Sequence, residues 1–104
     1  MSTLIVLFNL KKKKTAVKEY EKWANKVDVP TVKSLKSVDD FKVYRMGNIL
    51  GTEKPSPYQY CEMIQVNDVN GLFTDISTET MQKVAAEFQE FAQNPVFVMA
   101  EQCA

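Results

Sequence analysis

The stretch TLIVLFNLKKKK, residues 3–14, decides how the rest of the chain must be arranged. Its apolar part does not alternate with polar residues, which is typical of a β-strand that is covered on both faces. The positive charge follows the apolar residues, whereas a secretory signal carries its positive charge first. The apolar run is also far too short for a membrane-spanning helix, which needs roughly 20 residues. The sequence therefore predicts a buried strand in a protein that is neither exported nor inserted in a membrane.

The length and charge of the chain limit the classes of function. It has 104 residues, with 13 basic and 13 acidic side chains. This length suits one domain, residues 1–104, with one hydrophobic core. A formal net charge of zero argues against nucleic-acid binding, because such proteins carry a net basic face. The lysines at 11–14 are interpreted either as a solvated loop or as a docking site for an acidic partner such as a carrier protein.

Several residue types and motifs that support common chemistries are missing. The chain has no histidine, which excludes Ser-His and Cys-His nucleophile pairs and removes the commonest metal ligand. Cys61 and Cys103 are far apart and form no CxxC motif, so we expect no zinc site and no dithiol redox centre. The familiar glycine-rich nucleotide loops are absent too. We predict no metal, no cofactor and a reducing, cytoplasmic location.

The predicted elements follow the order β-α-β-β-α-β. We expect strands at residues 3–9, 37–46, 58–66 and 96–103. The first helix is predicted to be capped by Thr15 and to end at residues 28–30, and the second to be capped by Ser77 and to stop at Asn94-Pro95. One short helical turn is predicted within residues 67–77. The glycines and prolines of residues 47–57 predict a loop, either a plain hairpin excursion or a lid over a pocket.

This order predicts an α+β, ferredoxin-like fold with a four-stranded antiparallel sheet and two main helices. Two helices can cover only one face of such a sheet, yet the first and last strands are apolar on both faces. In so short a chain the simplest cover for the second face is another copy. We therefore predict a symmetric homodimer that is joined sheet to sheet.

Three stretches carry a resemblance to a known family. TLIVLFNLK (3–11), DDFKVYRM (39–46) and YQYCEMIQVNDV (58–69) are similar to the RedY-like proteins of prodigiosin-type pigment pathways, within the dimeric α/β-barrel superfamily. The resemblance implies a cytoplasmic homodimer of antibiotic and pigment biosynthesis that binds an aromatic, pyrrole-type intermediate, with other pathway enzymes as candidate partners. Many members of the superfamily use a histidine in their cavity. This chain has none, so that proton chemistry does not carry over.

Glu62 is the least expected residue of the predicted sheet. It shares one face of the third strand with Tyr58 and Tyr60, because successive side chains of a strand alternate. A carboxylate buried there either needs a partner or has a raised pKa that suits an acid or a base. The partner could be Arg45, a lysine at the sheet edge or a group across the dimer contact.

The candidate catalytic residues are Glu62, Tyr60 and Arg45. In this hypothesis Glu62 moves a proton, Tyr60 binds a carbonyl oxygen or a pyrrole N–H, and Arg45 stabilises developing negative charge. The candidate ligand-binding residues are Asn9, Trp23, Tyr44, Tyr58 and Phe88, of which Trp23 and Phe88 are also interpretable as core residues. Tyr44 and Arg45 are neighbours on one strand, so only one of them can enter a given pocket.

Three functions remain open at this point. The first is an enzyme without a cofactor that promotes ring closure and loss of water in a bipyrrole-pathway intermediate. The second is a carrier that shelters or hands over the intermediate and breaks no bonds. The third is a cofactor-free oxygenase, an activity known elsewhere in the superfamily. No single residue of the sequence distinguishes them.

Overall fold

The computed structural model describes residues 2–104. Its four strands are β1 (Ser2–Leu10), β2 (Val38–Arg45), β3 (Tyr60–Val66) and β4 (Ala92–Ala100). Its helices are α1 (Val17–Trp23), α2 (Val29–Lys33), α3 (Val69–Ile76) and α4 (Glu79–Phe91), and a π-helical turn, Ala24–Asp28, joins α1 to α2. No helix in this part of the chain is long and apolar enough to cross a bilayer.

The strands form one antiparallel sheet in the order β2-β3-β1-β4, which confirms the predicted four-stranded arrangement. The central strand β1 buries Val6, Phe8 and Leu10 on the face that packs against the helices. Ile5 and Leu7 point the other way and are only half-buried. The unbroken apolar run of β1 therefore has one face in the core and one that the described residues leave partly open.

Aromatic rings fill the core at one end of the helix-covered face. Phe8 stacks on Tyr60 at 5.5 Å between ring centroids and meets Tyr20 and Phe88 edge-on at 5.4 and 4.9 Å. These edge-on and stacked pairs add about 0.5–1.5 kcal/mol each beyond the burial of their area. The cluster fixes α1 and α4 against β1 and β3, and so determines which side chains meet beneath the helices.

The first helical segment differs from the prediction at both ends. Thr15 does not cap α1, because the residue before the helix is Ala16 and no side chain makes the capping hydrogen bond. The segment does not end at residues 28–30 either. Pro30 lies in the first turn of α2, where its missing N–H would have had no helical partner anyway, so the helical path continues to Lys33.

The second helical region also differs from the prediction. Residues 67–77 contain more than a single turn, since α3 runs over eight residues. Thr78, not Ser77, caps α4, and its hydroxyl accepts a hydrogen bond from the Met81 N–H at 3.3 Å. The prediction was off by one residue because Ser77 and Thr78 are adjacent and either type can cap a helix.

Asn94 and Pro95 do not end α4, which stops at Phe91, but lie inside β4. Asn94 has a φ of 46°, and the pairing of β4 with β1 shifts in register between Leu7 and Asn9. Together these features make a β-bulge, which lets an edge strand accommodate a proline. The last strand consequently begins four residues earlier than predicted, at Ala92, and ends at Ala100.

Residues 47–57 form a hairpin excursion between β2 and β3, and their closure over a ligand stays a prediction. Asn48 pairs with Pro55, and the Ile49 N–H donates to the Lys54 carbonyl at 2.8 Å. Gly51 has a φ of 78°, a left-handed conformation that glycine adopts without strain. The strand that follows starts at Tyr60 instead of residue 58.

Candidate functional site

A cavity of about 270 Å³ lies between the helix-covered face of the sheet and the helices. Its volume is close to the lower end of ligand pockets, roughly 300–1,000 Å³. Two of its lining residues, Ile76 and Phe97, are 41% and 55% exposed, so the cavity opens to the surface beside them. Most of its wall is apolar and buried, formed by Val6, Val32, Phe41, Ile64, Leu72, Met81, Val84 and Phe88.

Two carboxyl groups line this apolar cavity. Asp28 comes from the π-helical turn and Glu62 from β3, and they are 5% and 4% exposed. Burial, and secondly the negative charge of Asp28, raises the pKa of Glu62 to about 8. Burial raises the pKa of Asp28 as well. The pair can therefore hold a proton near neutral pH, which two exposed carboxylates would not do.

Tyr20 orients Glu62 from α1. Its hydroxyl donates a hydrogen bond to Glu62 Oε2 at 3.1 Å, and burial followed by the charge of Glu62 raises the pKa of Tyr20 far above its usual range. Tyr20 thus remains a donor throughout the physiological range. Glu62 Oε1 and both carboxyl oxygens of Asp28 make no hydrogen bond within residues 2–104. Since no fully buried side-chain oxygen or nitrogen of these residues lacks a partner, the three oxygens are accessible from the cavity that both residues line. A ligand in the cavity could reach a carboxylic acid, a carboxylate or both.

Asp28 is the site residue that sequence reasoning missed. In the sequence, Pro30 follows closely and predicts that the first helix ends at residues 28–30. Its spacing was the available signal, since Tyr20, Ala24 and Asp28 are four residues apart and share one helix face. All three are buried, and the π-helical turn keeps Asp28 on the side of the helix that meets β3.

Tyr60 and Arg45 belong to a second network. The Tyr60 hydroxyl donates to Glu21 Oε2 at 2.7 Å, and Arg45 binds both oxygens of Glu21 at 2.7 and 2.8 Å. Neither Tyr60 nor Arg45 lines the cavity. Arg45 therefore pairs with Glu21 and not with Glu62, and no lysine or arginine among residues 2–104 forms an ion pair with Glu62. The structure does not bring the three predicted catalytic residues together.

Phe88 is buried and Trp23 is half-buried, and the two rings have different surroundings. Phe88 lines the cavity and also contacts Phe8 of the aromatic core. Trp23 packs against the core without lining the cavity, and its Nε1–H donates to Glu87 Oε1 at 3.2 Å. The structure thus places Phe88, and not Trp23, in the wall of the cavity that Glu62 also lines.

The other three predicted ligand-binding residues lie away from the cavity. Asn9 holds the segment before β3, because its amide donates to the Pro57 carbonyl and its Oδ1 accepts from the Gln59 N–H, both at 3.0 Å. Tyr58 is half-buried in that same segment. Tyr44 is 46% exposed and points to the sheet face without helices.

The described residues contain no cluster of three or more acidic, cysteine or histidine side chains that could hold a metal ion. Two carboxyl groups and a tyrosine are instead suited to the transfer of a proton within a largely apolar space. Among residues 2–104, both cysteines are unpaired, and Cys61 lies outside the cavity wall.

Comparisons with known proteins place the chain in a family. Residues 2–103 match the family described as REDY-like protein HapK. The chain is similar to HapK from Hahella chejuensis, with 27% identity, a TM-score of 0.78, and coverage of 98% of this chain and 92% of that one. No curated protein sequence is significantly similar to this chain.

Two more distant structures share the fold. SnoaB, a cofactor-independent oxygenase from Streptomyces nogalater, has 9% identity and a TM-score of 0.74, over 99% of this chain and 93% of that one. A dimeric protein of unknown function with a ferredoxin-like fold, from Bacteroides fragilis, has 13% identity and a TM-score of 0.63, over 97% and 95%. They confirm the predicted ferredoxin-like fold. Because the family match extends over nearly the whole sequence, the chain belongs to the family of the REDY-like protein HapK.

Proposed function

We propose that this protein binds a small, largely apolar intermediate of secondary metabolism in the cavity and moves a proton on it with Glu62, without a cofactor. The observation that supports the proposal is the pair of buried carboxyl groups, Asp28 and Glu62, in an otherwise apolar wall. The family and the likeness to antibiotic-biosynthesis folds suggest a role in the biosynthesis of secondary metabolites. Within that role we propose a bipyrrole intermediate of prodigiosin-type pigment biosynthesis.

The proposed reaction is ring closure with loss of water. An amine nitrogen of the ligand attacks its own carbonyl carbon, and the resulting carbinolamine carries a hydroxyl group. The carboxylic acid of Glu62 protonates that hydroxyl, so the C–O bond breaks and water leaves. Asp28, as carboxylate, takes the proton released from nitrogen or the adjacent carbon, and proton exchange between the two carboxyls restores the starting state. The apolar wall holds the reacting atoms together.

The second network has a supporting part in this proposal. Tyr60 and Arg45 bind Glu21, which is next to Tyr20 on α1. They are positioning residues in this view, because they fix the turn of helix from which Tyr20 reaches Glu62. This replaces the direct ligand contacts that the sequence suggested for them.

We also propose a homodimer that covers the helix-free face of the sheet. Two rows of cross-strand neighbours make this face apolar: Met63, Ile5 and Val98, and Cys61, Leu7 and Val96. Val96 and Val98 are 40% and 44% exposed in the single chain. An apolar sheet face of this extent favours association, and the similar Bacteroides fragilis structure is described as dimeric.

A carrier role and an oxygenase role remain as the alternative proposals, the latter because SnoaB, which shares the fold, is a cofactor-independent oxygenase. The cytoplasmic location and the docking of an acidic carrier or a pathway enzyme on the exposed lysines 11–14 stay predictions. The experiment that tests ligand binding in the cavity is the same for all of these alternatives.

The test is to incubate the purified protein with the bipyrrole precursor and to follow mass, oxygen and absorbance together. A product lighter by one water, formed by wild type and by the surface control Glu90→Gln but not by Glu62→Gln, supports the proposal. Oxygen uptake would support the oxygenase. A spectral shift without conversion would support the carrier, and no shift at all would contradict ligand binding in the cavity.

A further inference from the structure

The cavity offers hydrogen-bond acceptors at its buried end and no cation. Its polar lining residues are Asp28, Glu62, Gln82 and Gln89, and both glutamines are exposed. No lysine or arginine of residues 2–104 lines it, and the chain has no histidine. The nearby buried donor, the Tyr20 hydroxyl, is already bound to Glu62. Apart from the proton that the pair itself holds near neutral pH, a ligand that satisfies the carboxyl oxygens must therefore bring its own donors.

The titratable groups around the carboxyl pair leave its negative charge uncompensated. Tyr20 of α1 donates to Glu62, and Cys61, the residue before Glu62, points to the opposite face of β3. Burial raises the pKa of both, so each is neutral near pH 7. The strands β1, β2 and β4 and the helices α2, α3 and α4 contribute only uncharged residues to the cavity. A buried charge without a partner is costly, and an incoming opposite charge removes much of that cost.

We infer that the cavity selects a cation, namely a compact, flat molecule with a protonated nitrogen that presents two or more N–H donors, and rejects carboxylates and phosphates. This inference rests on the proposed use of the cavity as the ligand site and goes beyond it by adding a charge preference. In the proposed reaction the neutral amine of the precursor attacks, and the iminium cation that forms when water leaves is the species that the carboxyl pair favours. The two carboxyl groups line one cavity, and such a pair suits a forked donor such as an amidinium, in which two N–H bonds point the same way. The apolar walls suit the ring that carries it.

Three probes of nearly the same shape test the inference: benzamidine, which is cationic, benzamide, which is neutral, and benzoate, which is anionic. Isothermal titration with the wild-type protein at about pH 8 should give benzamidine an affinity at least about tenfold above that of benzamide, since charge-assisted hydrogen bonds are roughly twice as strong as neutral ones. Benzoate should not bind. Benzamidine affinity should rise from about pH 6 to about pH 9, because the carboxyl groups lose their protons over that range.

Asp28→Asn and Glu62→Gln, which keep the shape of each side chain and remove its charge, should each reduce the benzamidine preference about tenfold. Glu90→Gln, on the exposed side of α4, should leave it unchanged. Circular dichroism of each variant establishes that it is folded. If Asp28→Asn does not fold, Glu62→Gln alone provides the comparison.

Equal affinities for benzamidine and benzoate, or no binding of benzamidine, would overturn the inference. An unchanged preference in Glu62→Gln would overturn it too. Any of these outcomes contradicts only the cation preference, and the proposed function is still supported if the neutral bipyrrole precursor is converted. If that precursor is neither bound nor converted while benzamidine binds as expected, the proposed reaction fails and the cation site remains.

Discussion

The hydroxyl of Tyr20 on α1 donates a hydrogen bond to Glu62 of β3, at 3.1 Å, inside the protein. The neighbouring pair runs the opposite way, because Tyr60 of β3 donates to Glu21 of α1 at 2.7 Å. Helix and strand thus exchange two tyrosine–carboxylate hydrogen bonds. Glu62 lies at the apolar cavity, whereas Glu21 is held by the exposed Arg45. The same chemical pair is therefore placed in two different dielectric environments.

We predict that Glu62→Gln lowers turnover by roughly 10²-fold or more, because glutamine keeps the shape of the side chain but cannot exchange a proton. Ligand binding should persist, as measured by the spectral shift of the bound precursor. Glu90→Gln is the control on the surface. A Glu62→Gln protein with full activity would leave the proposed reaction without its acid.

We predict that the protein loses stability as pH rises. The folded-state pKa of Glu62, about 8, is above its unfolded value, so its proton stabilises the folded form fully below the unfolded pKa. That stabilisation is lost as pH rises through the folded pKa. Urea denaturation should therefore show a lower free energy of unfolding at about pH 9 than at about pH 6. In Glu62→Gln the free energy of unfolding should depend less on pH. Identical profiles for wild type and variant would contradict the buried-acid description.

We predict that Tyr20→Phe destabilises the protein by about 1–3 kcal/mol, because Glu62 loses its hydrogen-bond donor inside the protein. The Tyr20 hydrogen bond lowers the pKa of Glu62, in opposition to the effect of burial, so its removal should raise that pKa further. A ¹³C-labelled Glu62 carboxyl followed by NMR titration measures the shift directly. A shift toward lower pH would show that the hydroxyl is not the donor.

We predict that Val98→Asp dissociates the homodimer and leaves the single chain folded. Val98 lies on the helix-free face and is 44% exposed in the single chain, so the charge stays in water once the partner has left. Met99→Asp is the matched control. Met99 is 45% exposed, and as the residue next to Val98 it points to the other face of the sheet. Sedimentation of the two variants at micromolar concentration compares them. A monomeric wild type, or a dimeric Val98→Asp, would rule out the proposed sheet-to-sheet contact.

The sequence determined the arrangement of the fold. The unbroken apolar run at the start of β1 and the order of the predicted elements indicated the four-stranded antiparallel sheet that the structure has. These features depend on local periodicity, which a sequence displays directly. The sequence-based prediction was wrong at the ends of helices, where neighbouring residues such as Ser77 and Thr78 can both cap a helix. At Pro30 and Pro95 it treated each proline as a helix breaker, whereas one lies in the first turn of a helix and the other in a strand bulge.

Only the tertiary structure decided the membership of the site. Glu62 was recognisable as a buried carboxyl group from strand alternation alone. The second carboxyl group of its cavity could not be read from the sequence, since Asp28 is 34 positions away and reaches the cavity through the π-helical turn. Arg45 could have paired with Glu62 or Glu21, and the packing of α1 on β3 selected Glu21. Periodicity shows which face of its own element a side chain occupies, but the pKa of a carboxyl group depends on the charges and the solvent that packing places around it.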